Sequence, residues 1–284
     1  MNNFNVHSQY LTQVFEDFAM QQYVSEIQDE EKNEIEFSSP SFLDIDQIWQ
    51  DMQGSLNKNH FHAIAFIGTQ GTGKTSASAE FAKRAKAGGY RLINAMPEDY
   101  LDNLDAWLDL VIKDATAFTC LVLDDQSYAQ GTKSAKIQAA WKNVVARFRK
   151  ILGGTVFVIF VTHRLHATPP MMRNAGTWFF TEVNANDVED MLEVVGKNKT
   201  NREAVTQIQE FLGELIIEGK KNTNIEFEYE GKYYKFRWGD ENDAGDGRLM
   251  ACLHEQKIQI FNAKVQKPIL DLEQYRLIPK VEEN

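Results

Sequence analysis

The chain has 284 residues, 43% hydrophobic and 25% charged, which leaves room for one α/β domain of roughly 200 residues with appendages, or for two small domains. Its longest unbroken apolar run, residues 156–161, is far too short to span a bilayer, and residues 1–9 lack the basic-then-apolar form of a signal peptide, so stable membrane insertion is not expected. Two cysteines without paired spacing, Cys120 and Cys252, indicate neither a disulfide framework nor a cysteine zinc site, and a reducing cytoplasm is the expected location. The net charge of −11 is concentrated: residues 1–51 hold eleven acidic side chains and one basic one, Lys32. Most of the acidity therefore belongs to an N-terminal arm and does not argue against nucleic-acid binding by the rest.

In chain order, residues 8–31 carry a loose helical stripe (Tyr10, Val14, Phe15, Phe18, Tyr23, Ile27). Residues 29–40 read as a linker ending at Pro40, and Ser41 reads as the cap of a short helix with Leu43, Ile45, Ile48, Trp49 and Met52. This arm either docks on a neighbouring subunit or partner, or packs on the chain's own sheet. Strand and helix then alternate. Strands are predicted at 61–67, 91–95, 119–123, 155–161 and 177–183. Helices are predicted at 73–87, 102–113 and 134–152, the last striped by Ile137, Trp141, Val144, Val145, Phe148 and Leu152. Val-, Ile- and Phe-rich strands separated by helices predict a parallel sheet covered on both faces. Further on, helices are predicted at 186–195 and 201–218 and a β-hairpin at 224–238, while 240–247 reads as a loop and 248–284 is weakly patterned, with short strands and a tail. The expected divisions are an acidic helical arm (1–58), a core (59–185) and C-terminal helices, hairpin and tail (186–284).

The chemistry is concentrated in Gly68-Thr69-Gln70-Gly71-Thr72-Gly73-Lys74-Thr75, which meets the G-x-x-x-x-G-K-[ST] spacing between a predicted strand and a predicted helix. Gly71 and Gly73 let successive N–H groups wrap a phosphate, and the helix start, including Ser76, points its positive end at the same anion. Lys74 is placed to bridge β- and γ-phosphates and the Thr75 hydroxyl to ligate Mg²⁺, so binding of ATP with Mg²⁺ is predicted. Downstream, Leu121-Val122-Leu123-Asp124-Asp125 is a hydrophobic strand ending in acids: Asp124 would hold the Mg²⁺ through water and Asp125 would polarise the attacking water. The strand at 155–161 runs into Thr162 and His163, either of which can hydrogen-bond phosphate or lytic water. His163 and His166 lack an evident third ligand, so zinc is not indicated. Lys133, Lys136, Lys142, Arg147, Arg149 and Lys150 fall within 18 residues without an acid. They form a solvated helix face, a DNA-facing strip, or the source of an arginine finger acting on a neighbour, with Arg147, Arg149 and Arg173 the candidates.

Taken in order, these motifs resemble the FtsK–HerA superfamily, and within it the genome-packaging ATPases of double-stranded DNA viruses. The likeness is carried by Gly71-Thr72-Gly73-Lys74-Thr75, Val122-Leu123-Asp124-Asp125, a helix ending Arg147-Phe148-Arg149-Lys150, the strand running into Thr162-His163, and the stretch from Pro169-Pro170 through Arg173-Asn174-Ala175 to Phe179-Phe180. It covers roughly residues 60–185. It implies a RecA-like, additional-strand P-loop NTPase: a homo-oligomeric ring that hydrolyses ATP to move double-stranded DNA into a capsid. Virion association and contact with portal or vertex proteins through the N-terminal arm would accompany that role. The family usually has Gln where this chain has His163. Other readings are a DNA-dependent ATPase of a mobile element, a nucleotide-gated scaffold if Asp125 is too short to act as a base, and a kinase.

Overall fold

The computed structural model describes residues 36–37, 43–100, 104–124, 154–163, 175–181, 185–221, 224–229, 232–237, 246–255, 257–265 and 268–278. Its centre is a parallel array of five strands: β3 (Phe61–Ile67), β4 (Arg91–Ala95), β5 (Phe118–Leu123), β6 (Thr155–Thr162) and β7 (Thr177–Phe180). They lie in the order β7-β3-β6-β5-β4, so β6 separates β3 from β5. That inserted strand is the arrangement of additional-strand, RecA-like P-loop NTPases, as predicted.

The strands read as continuous apolar runs because both faces of the sheet are covered. Alternate residues separate into two cores. Ala63, Ala65 and Ile67 meet Val156, Val158 and Phe160 on one side; Ile64 and Phe66 meet Phe157, Ile159 and Val161 on the other. The first core is roofed by α4 (Leu104–Asp114), α5 (Ala185–Val195) and α6 (Lys199–Lys221), through Trp107, Val111, Leu192, Val205, Ile208 and Leu212. The second is roofed by α1 (Ile45–Asn59) and α2 (Lys74–Ala87), through Ile48, Met52, Leu56, Ala77, Phe81 and Ala85. The short α3 (Pro97–Tyr100) follows β4.

Two expectations change here. The helix expected to follow a cap at Ser41 begins instead at Ile45, leaves Leu43 to a two-residue strand and runs on to Asn59. Of the arm's two readings it follows packing on the chain's own sheet, with Ile48, Met52 and Leu56 fully buried and Asp46 paired to Arg84 at 2.8 Å. The stretch 248–284, read as short strands and a tail, instead supplies two nine-residue strands, β10 (Asp246–His254) and β11 (Lys257–Val265). β10 runs antiparallel to β7, and β11 antiparallel to β10, so the central sheet continues past the boundary expected at residue 185. Two-residue strands β1 (Glu36–Phe37) and β2 (Leu43–Asp44) pair in parallel with β11.

The strength of β10 was hidden because it is buried on both faces: Met250 and Cys252 enter one core, Leu249, Ala251 and Leu253 the other, leaving no polar alternation to read. An aromatic cluster fastens this extension. Phe179 stacks on Phe66 at 4.6 Å and lies 4.8 Å from Phe261, while Phe81 of α2 sits 5.4 Å from Phe179. Each fully buried Phe is worth about 1.5–3 kcal/mol in removed apolar surface, so the cluster is a substantial bond between β3, β7, β11 and α2.

The predicted hairpin is present as β8 (Asn224–Tyr229) and β9 (Lys232–Arg237), a separate two-stranded sheet. α6 begins at Lys199, earlier than the predicted 201, because Asn198 accepts the Asn201 N–H at 2.8 Å and so caps it. The predicted helices at 8–31 and 134–152 lie outside the described residues. No described helix is long and apolar enough to cross a membrane.

Candidate nucleotide site

β3 delivers the chain into the glycine loop, and α2 takes it out. Gly73 caps α2 with φ +87°, a left-handed conformation that a Cβ would strain, and Ala77 N–H closes the first helical bond on its carbonyl at 2.9 Å. The first turn of α2 therefore turns its N–H groups toward the loop's concavity, and it holds no acidic side chain that would compete with an anion there. Gly68 is required for a different reason. A Cβ added to it would lie 1.9 Å from Thr181 Oγ1. The Thr181 hydroxyl, just past β7, lies 2.5 Å from Thr72 Oγ1 and 3.3 Å from the Ile67 carbonyl, and Thr72 Oγ1 lies 2.8 Å from the Thr69 carbonyl, so the two hydroxyl protons are shared among these three contacts. Gly68, Thr69 and Thr72 thus brace the loop from behind instead of lining its concave side.

The opposite wall comes from the ends of β4, β5 and β6. Asp124 follows β5, its N–H held by the Ala95 carbonyl at 3.0 Å. Thr162 ends β6 fully buried, and His163 follows it. Lys74, only 6% exposed, donates to the Thr69 carbonyl at 2.6 Å and comes within 3.4 Å of His163 Nδ1, which also lies 3.3 Å from the Gly68 carbonyl. A cavity of about 390 Å³ collects the result: Gln70, Gly71, Gly73, Lys74, Thr75 and Ser76 on one side, Met96, Asp124, Val161, Thr162 and His163 on the other. The loop is a P-loop.

No protein-family model matches the chain, and no curated protein matches it in sequence. Solved structures are similar at a distance. The genome packaging NTPase B204 from Sulfolobus turreted icosahedral virus 2, in complex with ATP-gammaS, aligns at TM-score 0.39 and 14% identity over 75% of this chain and 100% of that one. AMPPCP-bound DnaA from Aquifex aeolicus aligns at TM-score 0.36 and 15% identity over 61% of this chain and 62% of that one, so this chain spans about three-fifths of it. At such distances it is the site's own residues that carry its chemistry.

The donor set fits Mg²⁺ and a triphosphate. A hydroxyl (Thr75) and a carboxylate (Asp124) line the same cavity as the Lys74 ammonium and the helix start, which is the oxygen-ligand chemistry that Mg²⁺ selects. Asp125, Arg147, Arg149 and Arg173 lie outside the described residues. Sequence reasoning missed three contributors: Met96, Val161 and Thr181. Their only signal is position, each at or just past the C-terminal end of a parallel strand, where open α/β sheets bind ligands.

Proposed function

We propose that this chain is a Mg²⁺-dependent ATPase that couples hydrolysis to the movement of double-stranded DNA. The observation that carries the ATPase reading is the convergence of Lys74, Thr75, Asp124, Thr162 and His163 on one cavity at the mouth of the P-loop. Lys74 would leave the Thr69 carbonyl to meet the β- and γ-phosphates, exchanging a neutral acceptor for a charged one. Bound Mg²⁺ would neutralise phosphate charge beside Thr75 and Asp124. Asp125 is assigned the role of orienting the lytic water and accepting its proton, and Thr162 and His163 that of contacting the γ-phosphate or that water.

The DNA part of the reading is supported by the ordered motif set and by the basic strip Lys133, Lys136, Lys142, Arg147, Arg149 and Lys150, which suits phosphate tracking without base readout. A homo-oligomeric ring in which Arg149, or else Arg147 or Arg173, completes a neighbour's site rests on the same resemblance. Packaging of a viral genome, with the acidic arm meeting a capsid portal or vertex protein in the host cytoplasm, is the most specific form of the proposal. The test is ATP turnover with and without double-stranded DNA, with particle mass measured in bound nucleotide. DNA-stimulated turnover by a closed oligomer is expected. A monomer whose turnover ignores DNA would remove translocation.

A further inference from the structure

Residues 268–278 return to the far edge of the sheet. Asp271 caps a short 3₁₀ turn, Leu272–Tyr275, by accepting the Glu273 N–H at 3.1 Å, and Leu272 is buried in the core beneath α2. Arg276 then bridges in parallel to Asn94 of β4, and the Leu277 N–H reaches the Asn94 carbonyl at 3.4 Å. This strap adds a rung outside β4, on the side away from β5.

Its side chains reach further. Arg276 donates from Nε to Asp99 Oδ2 at 3.0 Å and from Nη2 to Asp99 Oδ1 at 2.6 Å, a fork on a carboxylate whose side chain is 2% exposed. The same Oδ2 accepts the Met96 N–H at 2.8 Å. Glu98 and Glu273 each add a contact to Arg276 at 3.0 Å. Met96 lines the nucleotide cavity, and the residue before it, Ala95, holds the Asp124 N–H. Residues 94–96 are thus gripped by the strap on one side and shape the site on the other.

We propose that the strap 268–278 is a working part of the nucleotide site, with Arg276 a positioning residue that sets Met96 and Asp124 through Asp99 and β4. The inference rests on the reading of the cavity as a nucleotide site. Without the guanidinium, the buried Asp99 carboxyl loses both halves of the fork and is left with the Met96 N–H in this network, so it no longer ties the turn at Met96 to the strap. Lysine cannot restore the fork, because it offers a point charge where two parallel donors are needed. Linkage requires the reverse effect as well: a nucleotide that binds the set wall must hold the strap more firmly.

The experiment uses the full chain with Mg²⁺ and ATPγS. Hydrogen exchange of a peptide covering 268–278 is expected to slow severalfold at saturating nucleotide. Arg276→Ala is expected to weaken ATPγS binding by about fivefold or more, the lower end of ordinary coupling, with Arg276→Lys in between. Arg91→Ala, which breaks the 2.7 Å pair with Asp114 at the opposite end of β4, should leave affinity unchanged and so serves as the comparison for a merely structural loss. Wild-type affinity in folded Arg276→Ala, or strap exchange indifferent to saturating nucleotide, would overturn the proposal. If Arg276→Ala does not fold, Arg276→Lys and the wild-type exchange decide it. A wild-type chain that binds no ATPγS would instead overturn the underlying reading of the site, and the strap's role with it.

Discussion

His163 Nδ1 lies 3.4 Å from Lys74 Nζ and 3.3 Å from the Gly68 carbonyl, so a side chain 89 positions beyond the lysine meets its ammonium directly. One ring nitrogen cannot accept from the ammonium and donate to the carbonyl at once, so moving Lys74 to a phosphate changes which partner His163 serves. His163→Ala should therefore keep ATPγS affinity within about threefold while turnover falls by about 10²-fold, the lower end for removing one hydrogen bond to the reacting groups. His163→Gln, which restores a hydrogen-bonding side chain, should recover part of that loss. Steady-state kcat beside direct binding checks this, and unchanged kcat in His163→Ala would assign the role to Thr162.

Gly68→Ala should damage the site without touching any group that meets nucleotide. The new methyl would meet Thr181 Oγ1 at 1.9 Å, at a backbone φ of +150° that L residues rarely adopt. The loop must shift at its base, at a cost on the order of 1–3 kcal/mol for the strained backbone alone. A fall of at least tenfold in nucleotide affinity is expected, with partial recovery in the Gly68→Ala, Thr181→Ala pair. Binding titrations of the two variants decide it.

Away from the nucleotide, His62 lies between Ser55 Oγ at 3.2 Å and Thr177 Oγ1 at 3.2 Å, and Thr177 contacts His254 Nδ1 at 2.8 Å. Burial, helped by His254 nearby, lowers the His62 pKa to about 4. Burial also lowers that of His254, against the opposing pull of Glu255 and Asp51. The sign comes from proton counting: below the unfolded value of 6.5 the unfolded chain takes up a proton that the native chain refuses. Stability is thus whole above that value and lost as pH falls toward about 4. The His62 contribution to that loss is on the order of 2 kcal/mol at pH 5. Urea midpoints at pH 7 and pH 5 should separate in the wild-type chain and draw together in His62→Gln.

The core was legible where chemistry and period coincide. Ala63–Ile67, the glycine loop and Leu121-Val122-Leu123-Asp124 announce strand, phosphate cradle and acid in their order, and the burial of both sheet faces made the apolar runs readable as strands. Other parts were silent for physical reasons. Cys252 and Met250 face one core while Ala251 faces the other, so β10 shows no alternation. Met96 and Thr181 become site residues only because parallel strands end side by side, a relationship between distant segments that no local window contains. The Arg276–Asp99 fork spans 177 positions, beyond any pattern rule.

The proposed ring has its own test. Arg149→Ala subunits with intact P-loops, inactive alone, should regain turnover when mixed with Lys74→Ala subunits that still supply Arg149. A neighbour-supplied arginine is worth about 10³–10⁵ in rate where it acts, so even partial recovery is measurable. No recovery at any ratio, or full activity of dilute monomeric Arg149→Ala, would remove the trans arginine and leave the cis site as it is.

The proposed function depends on ATP being hydrolysed in the cavity between Lys74 and Asp124. The decisive measurement is phosphate release by the wild-type chain beside folded Lys74→Ala, each with and without Mg²⁺. The wild-type chain should release phosphate only with Mg²⁺. Lys74→Ala should lose both tight ATP binding and release, because the one lysine that lines the cavity among the described residues is gone. Turnover by Lys74→Ala at the wild-type rate, or a wild-type chain that binds ATP with Mg²⁺ and never releases phosphate, would refute hydrolysis at this site.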